Sequence, residues 1–240
     1  LYLVATPIGN LGDLSPRARE ILSTVDFIAA EDTRVTQKLL TACELPRKPM
    51  ISYYEHNRRA RGEVVLERML GGETCALVTD AGTPAVSDPG EDLVALCAEH
   101  DIPVIPVPGC CAAVCALAAS GLPTGRWCFE GFLSVNKKAR REHLDALEGE
   151  KRTMIFYEAP HKLCATLRDL AAVFGEDRRL SLSRELTKLH EQTLRMTLGE
   201  AMRYFDENPP RGEFVLIVEG APDEPETEQS EEERLAAAAE

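Results

Sequence analysis

The chain has 240 residues, of which 40 are acidic and 27 are basic, giving a formal net charge of −13. This length suits one large domain or two ordinary ones, and the 44% hydrophobic content excludes a mainly disordered chain. Gly or Pro interrupts each long apolar stretch before the ~20 residues of a membrane span, and no signal-peptide pattern is visible. The negative charge argues mildly against nucleic acid as a partner, although local basic patches are not excluded.

Eight cysteines are spread through the chain without a Cys-x-x-Cys pair. Most lie inside apolar runs, such as Cys110-Cys-Ala-Ala-Val-Cys115. This pattern favours reduced, buried thiols that act as small hydrophobic side chains in a cytoplasmic protein. The five histidines are scattered without ligand-like spacing to these cysteines, so we expect no metal site.

Residues 1–122 alternate short apolar strands with amphipathic helices. Ser15-Pro16 predicts a capped helix start, and Gly71-Gly72 predicts a helix end. We predict strands at 1–5, 27–30, 74–79 and 102–107, with helices beginning at 15, near 33, at 60, after 88 and at 109. The prolines of 102–107 favour a position near an edge or at a switch in the sheet. The βα alternation indicates an N-terminal α/β domain with a mainly parallel sheet and flanking helices.

The pattern changes after Gly121-Leu-Pro-Thr-Gly125, and we predict a second α/β domain at residues 123–222. Strands are predicted at 127–133, 153–157, 179–186, 193–198 and 214–218, and helices at 136–147, at 160–174 and around 201–205. Residues 193–198 alternate with period two, as a half-exposed antiparallel strand does, so the second sheet should be mixed. Residues 223–240 are strongly acidic and predict a linker that runs into the start of a helix.

Three loops that follow apolar strands are rich in Gly, Pro and small residues. They span 5–13, 79–90 and 106–113. Turn formation alone would explain one such loop. Three in one βαβ array favour a ligand site, because ligands of open α/β sheets lie beyond the carboxyl ends of the strands. Neither a Gly-x-Gly-x-x-Gly motif after the first strand nor a P-loop motif occurs.

Five longer motifs in the sequence resemble those of a known family. They are Leu3-Val-Ala-Thr-Pro-Ile-Gly-Asn-Leu-Gly-Asp-Leu-Ser15, Glu31-Asp-Thr-Arg34, Asp80-Ala-Gly-Thr-Pro-Ala-Val-Ser-Asp-Pro-Gly90, Pro106-Val-Pro-Gly109 and Phe156-Tyr-Glu-Ala-Pro-His161. In this order they resemble the ribosomal RNA small subunit methyltransferase I family of the tetrapyrrole methylase superfamily, over residues 1–222. The resemblance implies a homodimeric, two-domain α/β enzyme. Its expected activity is S-adenosylmethionine-dependent methylation of a cytidine ribose 2′-hydroxyl in small-subunit ribosomal RNA.

The resemblance also implies which residues contact the cofactor. Thr83 stands where the superfamily's Gly-Asp-Pro loop has Asp. The expected contacts come from all three loops and from the second domain: Pro7, Ile8, Gly82, Thr83, Pro84, Val86, Cys110, Cys111, Ala112, Tyr157, Gly220 and Ala221.

A ribose hydroxyl is a poor nucleophile, so a base or a cation near it should assist the transfer. Charged residues at predicted strand ends are the candidates: Glu158, His161, Arg184, Glu185 and Lys188, besides the Glu31–Arg34 segment. Structural roles remain open for all of them, namely a helix cap at 32–33, a helix start at 161 and a solvated salt-bridge cluster at 184–188. No single base is assigned.

Four basic clusters are candidates for contacts with RNA phosphates. The two larger ones are Arg58, Arg59 and Arg61, and Lys137, Lys138, Arg140 and Arg141, and the two smaller ones are Lys151-Arg152 and Arg178-Arg179. Tyr53, Tyr54 and His56 precede the first cluster and are candidates for stacking on an unpaired base. The alternative is that each charged run is only a solvated helix face.

Two further functions remain open on the same fold. One is methylation of a tetrapyrrole precursor or another small substrate, and the other is a non-catalytic role in ribosome assembly. The basic clusters favour an RNA substrate, either free small-subunit ribosomal RNA or the assembled small subunit, because a small-substrate enzyme has no need of them.

Overall fold

The protein is described by a computed structural model that covers residues 1–222. The acidic segment predicted at 223–240 lies outside the described residues. Two five-stranded sheets follow one another along the chain. The predicted α/β class, with a parallel sheet before a mixed one, is confirmed.

The first sheet is entirely parallel, with its strands in the order β3-β2-β4-β1-β5. Of the two positions that the prolines favoured for β5, the edge position is confirmed. Strand β3 was not predicted, because it is only three residues long and carries no apolar run. The elements are β1 (Tyr2–Val4), α1 (Pro16–Thr24), β2 (Phe27–Ala30), α2 (Thr33–Ala42), β3 (Met50–Ser52), α3 (Arg58–Leu70), β4 (Cys75–Val78), α4 (Glu91–Glu99), β5 (Ile105–Val107) and α5 (Ala112–Ser120).

The helix boundaries follow from local chemistry. Ser15 caps α1 by accepting a hydrogen bond of 3.1 Å from the N–H of Ala18, and Pro16 occupies the first turn. Asp32 caps α2 through the N–H of Arg34 at 2.8 Å. Gly121 ends α5 with a φ of 75°, a conformation that costs glycine little.

The second sheet has the order β6-β7-β10-β8-β9, with β6 and β7 parallel and every other pair antiparallel. Strand β8 ends two residues earlier than predicted, because Glu185 turns the chain with a φ of 51°. The elements are β6 (Trp127–Phe132), α6 (Lys137–Ala146), β7 (Thr153–Glu158), α7 (Pro160–Phe174), β8 (Arg179–Arg184), β9 (Gln192–Thr197), α8 (Leu198–Glu207) and β10 (Phe214–Val218).

Both sheets are covered on two faces. One core lies against each face of the first sheet, centred on Leu22 and Leu40 on one side and on Tyr53 and Leu93 on the other. Helix α5 packs on the second sheet rather than the first, in a cluster with Ile155, Val215 and Ile217. The domain division predicted between residues 122 and 123 therefore stays a prediction, since α5 precedes it in the chain but packs beyond it.

The eight cysteines are all free thiols. Three of them, Cys43, Cys75 and Cys97, are buried, whereas Cys115 is exposed. Burial raises the pKa of Cys75 to about 12, so this thiol is protonated and unreactive at neutral pH. Within residues 1–222, none of the helices has the length and apolar character needed to span a bilayer.

Candidate active site

A cavity of about 470 Å³ lies between the two halves of the protein. The first half contributes the carboxyl-end loops of its sheet, through Ile8, residues 81–83 and 86–88, and the start of α5. The second half contributes Phe132, residues 157–160 and the segment before and at the start of β10. The volume lies within the ~300–1,000 Å³ typical of small-molecule sites.

Hydrogen bonds join the three predicted loops to one another. The N–H of Thr6 donates to the carbonyl of Gly82 at 2.9 Å, and the N–H of Gly82 donates back at 3.1 Å. The hydroxyl of Thr83 donates to the carbonyl of Cys110 at 2.9 Å. Thr83, which replaces the Asp of the superfamily's loop, thus ties the second loop to the third.

The loop after β4 has an unusual backbone. Gly82, Ala85, Ser87 and Gly90 have φ values of 90°, 65°, 64° and 143°. Two of these residues carry a Cβ, and such strained positions cluster at ligand sites. A Cβ at Gly82 would lie 3.6 Å from Cγ2 of Ile8, at the cavity wall.

Gly109 allows a close approach between the third loop and the end of β1. A Cβ there would lie 2.8 Å from the Cβ of Ala5. Glycine is therefore required for the packing of the third loop against the end of β1.

Tyr157 connects the two halves at the cavity wall. Its hydroxyl accepts a hydrogen bond of 3.0 Å from the N–H of Ala113, in the first turn of α5. The rings of Phe129 and Phe132 pack edge-on against it, with centroid distances of 5.1 and 5.5 Å. Burial raises the pKa of Tyr157 to about 12, so its hydroxyl is neutral at physiological pH.

Some of the predicted cofactor-binding residues line the cavity and others do not. Seven of them line the cavity: Ile8, Gly82, Thr83, Val86, Cys111, Ala112 and Tyr157. Pro7, Pro84 and Cys110 are their chain neighbours and do not line it. Gly220 and Ala221 follow the far end of β10, where the N–H of Ala221 donates to the carbonyl of Glu150. Because β10 starts at the cavity and runs away from it, these two residues do not line the cavity.

Among the predicted catalytic residues, Glu158 alone lines the cavity. It is buried, with 4% of its surface exposed. One carboxylate oxygen accepts from the N–H of Ala159 at 2.8 Å, and the other accepts from the hydroxyl of Thr166. His161 is exposed in the first turn of α7 and does not line the cavity.

The segment after β8 is fixed by an ion-pair network. The ammonium of Lys188 lies 2.9 Å from a carboxylate oxygen of Glu185 and 2.7 Å from one of Glu213. The hydrogen bond from Lys188 holds the pKa of Glu185 below its usual range. Arg184 ends β8 with a buried Nε that has no partner in the described residues. None of Arg184, Glu185 and Lys188 lines the cavity.

A group of acids lies at the carboxyl ends of β2 and β4. The N–H of Asp80 donates to Glu31, and the N–H of Asp32 donates to Asp80, both at 3.2 Å. Arg34 pairs with Asp32 and holds the pKa of that carboxyl at about 2. Burial raises the pKa of Glu31 and that of Asp80.

Asp88 is a cavity residue that the sequence did not single out. Its pKa is raised to about 6, first by burial and then by the negative charges of Glu31 and Asp80. The signal in the sequence was its place in the loop after β4, where Asp88-Pro89 indicated only a helix start. Its proximity to Glu31 depends on the pairing of β2 with β4.

Arg58, Arg59 and Arg61 are exposed at the start of α3. Arg58 is partly neutralised, since its guanidinium lies 3.2 Å from Glu55 and 3.7 Å from Asp92. The suggestion that Tyr53 stacks on a base is wrong. Its ring is 1% exposed, and its hydroxyl donates to Asp92 at 2.6 Å.

The basic cluster of α6 is not uniform. Lys137 and Lys138 are exposed, and Arg141 pairs with Asp145 at 2.7 Å on the same helix. Arg140 instead points onto α7, donating to Asp169 at 2.6 Å and to Thr166 at 2.8 Å. Its side chain is 13% exposed, so its environment is structural.

A further basic hollow lies beside the acid group and was missed in the sequence. It is lined by Thr33, Arg34, Gln37, Arg47, Lys48 and Met50. The cations of this hollow come from α2 and from the segment before β3, so the sequence contains no single basic run that would have indicated the hollow.

Comparison with known proteins agrees with this geometry. The family model described as Tetrapyrrole (Corrin/Porphyrin) Methylases matches residues 1–202, so the protein is a member of this class of methylases. Ribosomal RNA small subunit methyltransferase I of Synechocystis sp. is 55% identical over 232 residues, covering 97% of this chain and 83% of that protein. The protein of the same name from Escherichia coli O157:H7 is 49% identical over 222 residues, covering 92% and 77%. The chain therefore belongs to the ribosomal RNA small subunit methyltransferase I family of the tetrapyrrole methylases.

A solved structure agrees on the fold. The uroporphyrin-III-C-methyltransferase of Thermus thermophilus superposes with a TM-score of 0.63 at 20% identity, covering 90% of this chain and 92% of that one. This likeness concerns the fold alone.

Proposed function

We propose that this protein transfers a methyl group from S-adenosylmethionine to the ribose 2′-hydroxyl of a cytidine in small-subunit ribosomal RNA. The observation that carries the proposal is the cavity between the two halves. Its lining combines the strained loop after β4 with the start of α5, in a chain whose relatives are named ribosomal RNA methyltransferases. The target nucleotide type comes from the family resemblance of the motifs.

The residues of the cavity fit S-adenosylmethionine. Ile8, Val86 and Tyr157 offer apolar and aromatic surface for a flat base, and the absence of a side chain at Gly82 lets a ligand approach the backbone. The bound cofactor supplies a methyl group that its sulfonium already activates. The protein's contribution is then mainly to hold donor and acceptor in line.

The chain's own residues have distinct tasks in this proposal. Ile8, Gly82, Thr83, Val86, Cys111, Ala112 and Tyr157 bind the cofactor, and Thr83 keeps the second and third loops together. Phe132, 59% exposed at the cavity rim, limits the access of water. Glu158, the predicted catalytic residue that lines the cavity, orients the ribose in this proposal.

We also propose an RNA-binding surface, a homodimer and a cytoplasmic location. The exposed cations of α3 and α6 and the basic hollow support contact with phosphates. The dimer rests on the family resemblance, and light scattering on the purified protein would test it. The cytoplasmic location fits an enzyme that acts on ribosomal RNA.

The test is transfer of tritiated methyl groups to small subunits purified from cells that lack the protein. We expect label in the ribosomal RNA, and digestion to nucleosides should recover it as 2′-O-methylcytidine. Free ribosomal RNA and a tetrapyrrole precursor serve as parallel acceptors. Label in the tetrapyrrole alone would contradict the proposal, and cofactor binding without transfer to any acceptor would favour a non-catalytic assembly role.

A further inference from the structure

We propose that Asp88 is the catalytic base that accepts the proton of the ribose hydroxyl during methyl transfer. The inference rests on the function proposed above and assigns its proton transfer to one side chain. Asp88 lines the cavity from the loop after β4, and Tyr157 and Glu158 line it from the second half.

Three carboxylates line the cavity, and two of them are already engaged. Glu158 is buried, and each of its carboxylate oxygens accepts a hydrogen bond, from Ala159 and from Thr166. Glu213 is held 2.7 Å from the ammonium of Lys188 in an ion pair. Asp88, the third, forms no ion pair with any residue in the described part of the chain.

Tyr157, the phenol of the cavity, cannot take this role. A base must be deprotonated at the working pH, whereas burial keeps the pKa of Tyr157 at about 12. Its hydroxyl oxygen also accepts the N–H of Ala113.

The surroundings of Asp88 suit a base. Glu31 faces it from the end of β2, Asp80 from the end of β4, and Tyr157 from the end of β7. Burial and the two negative neighbours disfavour its charged form and outweigh a side-chain hydrogen bond from Thr79, so its pKa is about 6. Such a carboxylate is ionised at neutral pH yet binds a proton more readily than an ordinary one, as general-base catalysis requires.

The step balances in atoms and electrons. The ribose O–H bond breaks, and its proton passes to the Asp88 carboxylate. The oxygen uses the freed electron pair to bond to the methyl carbon, whose bond to sulfur breaks with its pair remaining on sulfur. Asp88 then releases the proton to solvent, since its pKa lies below neutral pH.

The first experiment replaces the carboxylate with its neutral isostere, Asp88→Asn. Single-turnover methylation of small subunits should fall ~100-fold or more, while the affinity for S-adenosylmethionine, measured by calorimetry on the protein alone, should change by less than about 3-fold. Thermal unfolding establishes that the variant is folded. A folded Asp88→Asn variant with an undiminished single-turnover rate would overturn the assignment.

The second experiment uses Glu31→Gln, which removes a negative neighbour without changing its size. The pKa of Asp88 should fall, so the rising limb of the pH–rate profile should move to lower pH. Below the wild-type midpoint the variant should then be faster than the wild type, which a structural defect would not produce. Glu99→Gln, at the exposed end of α4, removes the same charge away from the cavity and should leave the midpoint unchanged.

A readout independent of turnover completes the test. The carboxyl ¹³C resonance of Asp88 in the protein without RNA should titrate near pH 6 and shift downward in Glu31→Gln. If the Glu31→Gln variant keeps the wild-type midpoint in both the pH–rate profile and the ¹³C titration, the proposal is overturned. If the wild type transfers no methyl group to ribose, both the proposed function and the base assignment fail. If the wild type is active and Asp88→Asn is equally active, only the base assignment fails.

Discussion

The hydroxyl of Tyr157 lies 3.0 Å from the backbone nitrogen of Ala113, joining the end of β7 to the first turn of α5. Cys111 occupies the N-cap of this helix without a side-chain hydrogen bond, so Tyr157 supplies the acceptor that the cap lacks. The same ring forms part of the cavity wall. One side chain therefore couples the position of α5 to the shape of the binding site.

Tyr157→Phe should lower both stability and cofactor affinity. The free energy of unfolding should fall by about 1 kcal/mol, because the N–H of Ala113 loses its acceptor. The affinity for S-adenosylmethionine should fall ~3–10-fold as the start of α5 becomes less fixed, by the same ~1 kcal/mol scale. Urea denaturation and calorimetry measure the two effects. Tyr54→Phe, on an exposed ring with no hydroxyl partner in the described residues, is the control; equal effects of both substitutions would contradict the role of Tyr157.

Gly82→Val should abolish cofactor binding in a folded protein. Its backbone has a φ of 90°, and a Cβ there would lie 3.6 Å from Cγ2 of Ile8, so the branches of valine would crowd this cavity residue. Gly72→Val is the matched control, since Gly72 has a φ of 95° and open space around it at the end of α3. Both variants should lose ~1–2 kcal/mol through backbone strain, but calorimetry should find lost affinity only for Gly82→Val. Unchanged affinity in folded Gly82→Val would remove this loop from the cofactor site.

The sequence predicted the architecture well because its signals are local. Continuous apolar runs located β2 and β10, and Pro160 with Gly175 bounds α7. The meeting of the three loops also followed, since the carboxyl ends of parallel strands share one edge of a sheet.

Features that depend on tertiary pairing could not be predicted. Gly220 and Ala221 lie away from the cavity because β10 is antiparallel to β7, and no local pattern gives strand direction. Tyr53 and Tyr54 are adjacent in sequence, yet one is buried and the other is exposed. The pKa of Asp88 is raised first by burial and then by the charge of Glu31, which is distant in the chain.

Lys188→Gln should destabilise the protein in a pH-dependent way. Lys188 lowers the folded-state pKa of Glu185, so this stabilisation is present above the unfolded pKa, about 4.3, and is lost as pH falls through the folded pKa. We expect a loss of about 1–2 kcal/mol at pH 7 for these partly buried charged hydrogen bonds, shrinking below pH 4.

Urea denaturation at several pH values measures the effect of Lys188→Gln. Lys138→Gln is the control, because its exposed pair with Glu142 is 3.8 Å long and should contribute little. A loss that does not depend on pH would contradict the ion-pair explanation.

Lys137→Gln and Arg140→Gln remove the same charge from α6 but should act differently. Lys137 is exposed, so its loss should flatten the salt dependence of binding to small subunits by about one unit of log–log slope and leave the melting temperature unchanged. Arg140 holds Asp169 and Thr166, so its loss should lower the melting temperature and leave the slope unchanged. The opposite pattern would return Arg140 to the RNA-binding surface.

The cations at the start of α3 give the most direct test of an RNA interface. The double variant Arg59→Gln/Arg61→Gln removes two exposed charges that form no ion pair within the described residues, so it should weaken binding and flatten the salt slope by about two units. Calorimetry should show an unchanged affinity for S-adenosylmethionine, since neither residue lines the cavity. The control, Arg168→Gln/Arg203→Gln, removes two exposed charges on α7 and α8. Equal slopes for the two double variants would mean that the α3 cations are only a solvated helix face.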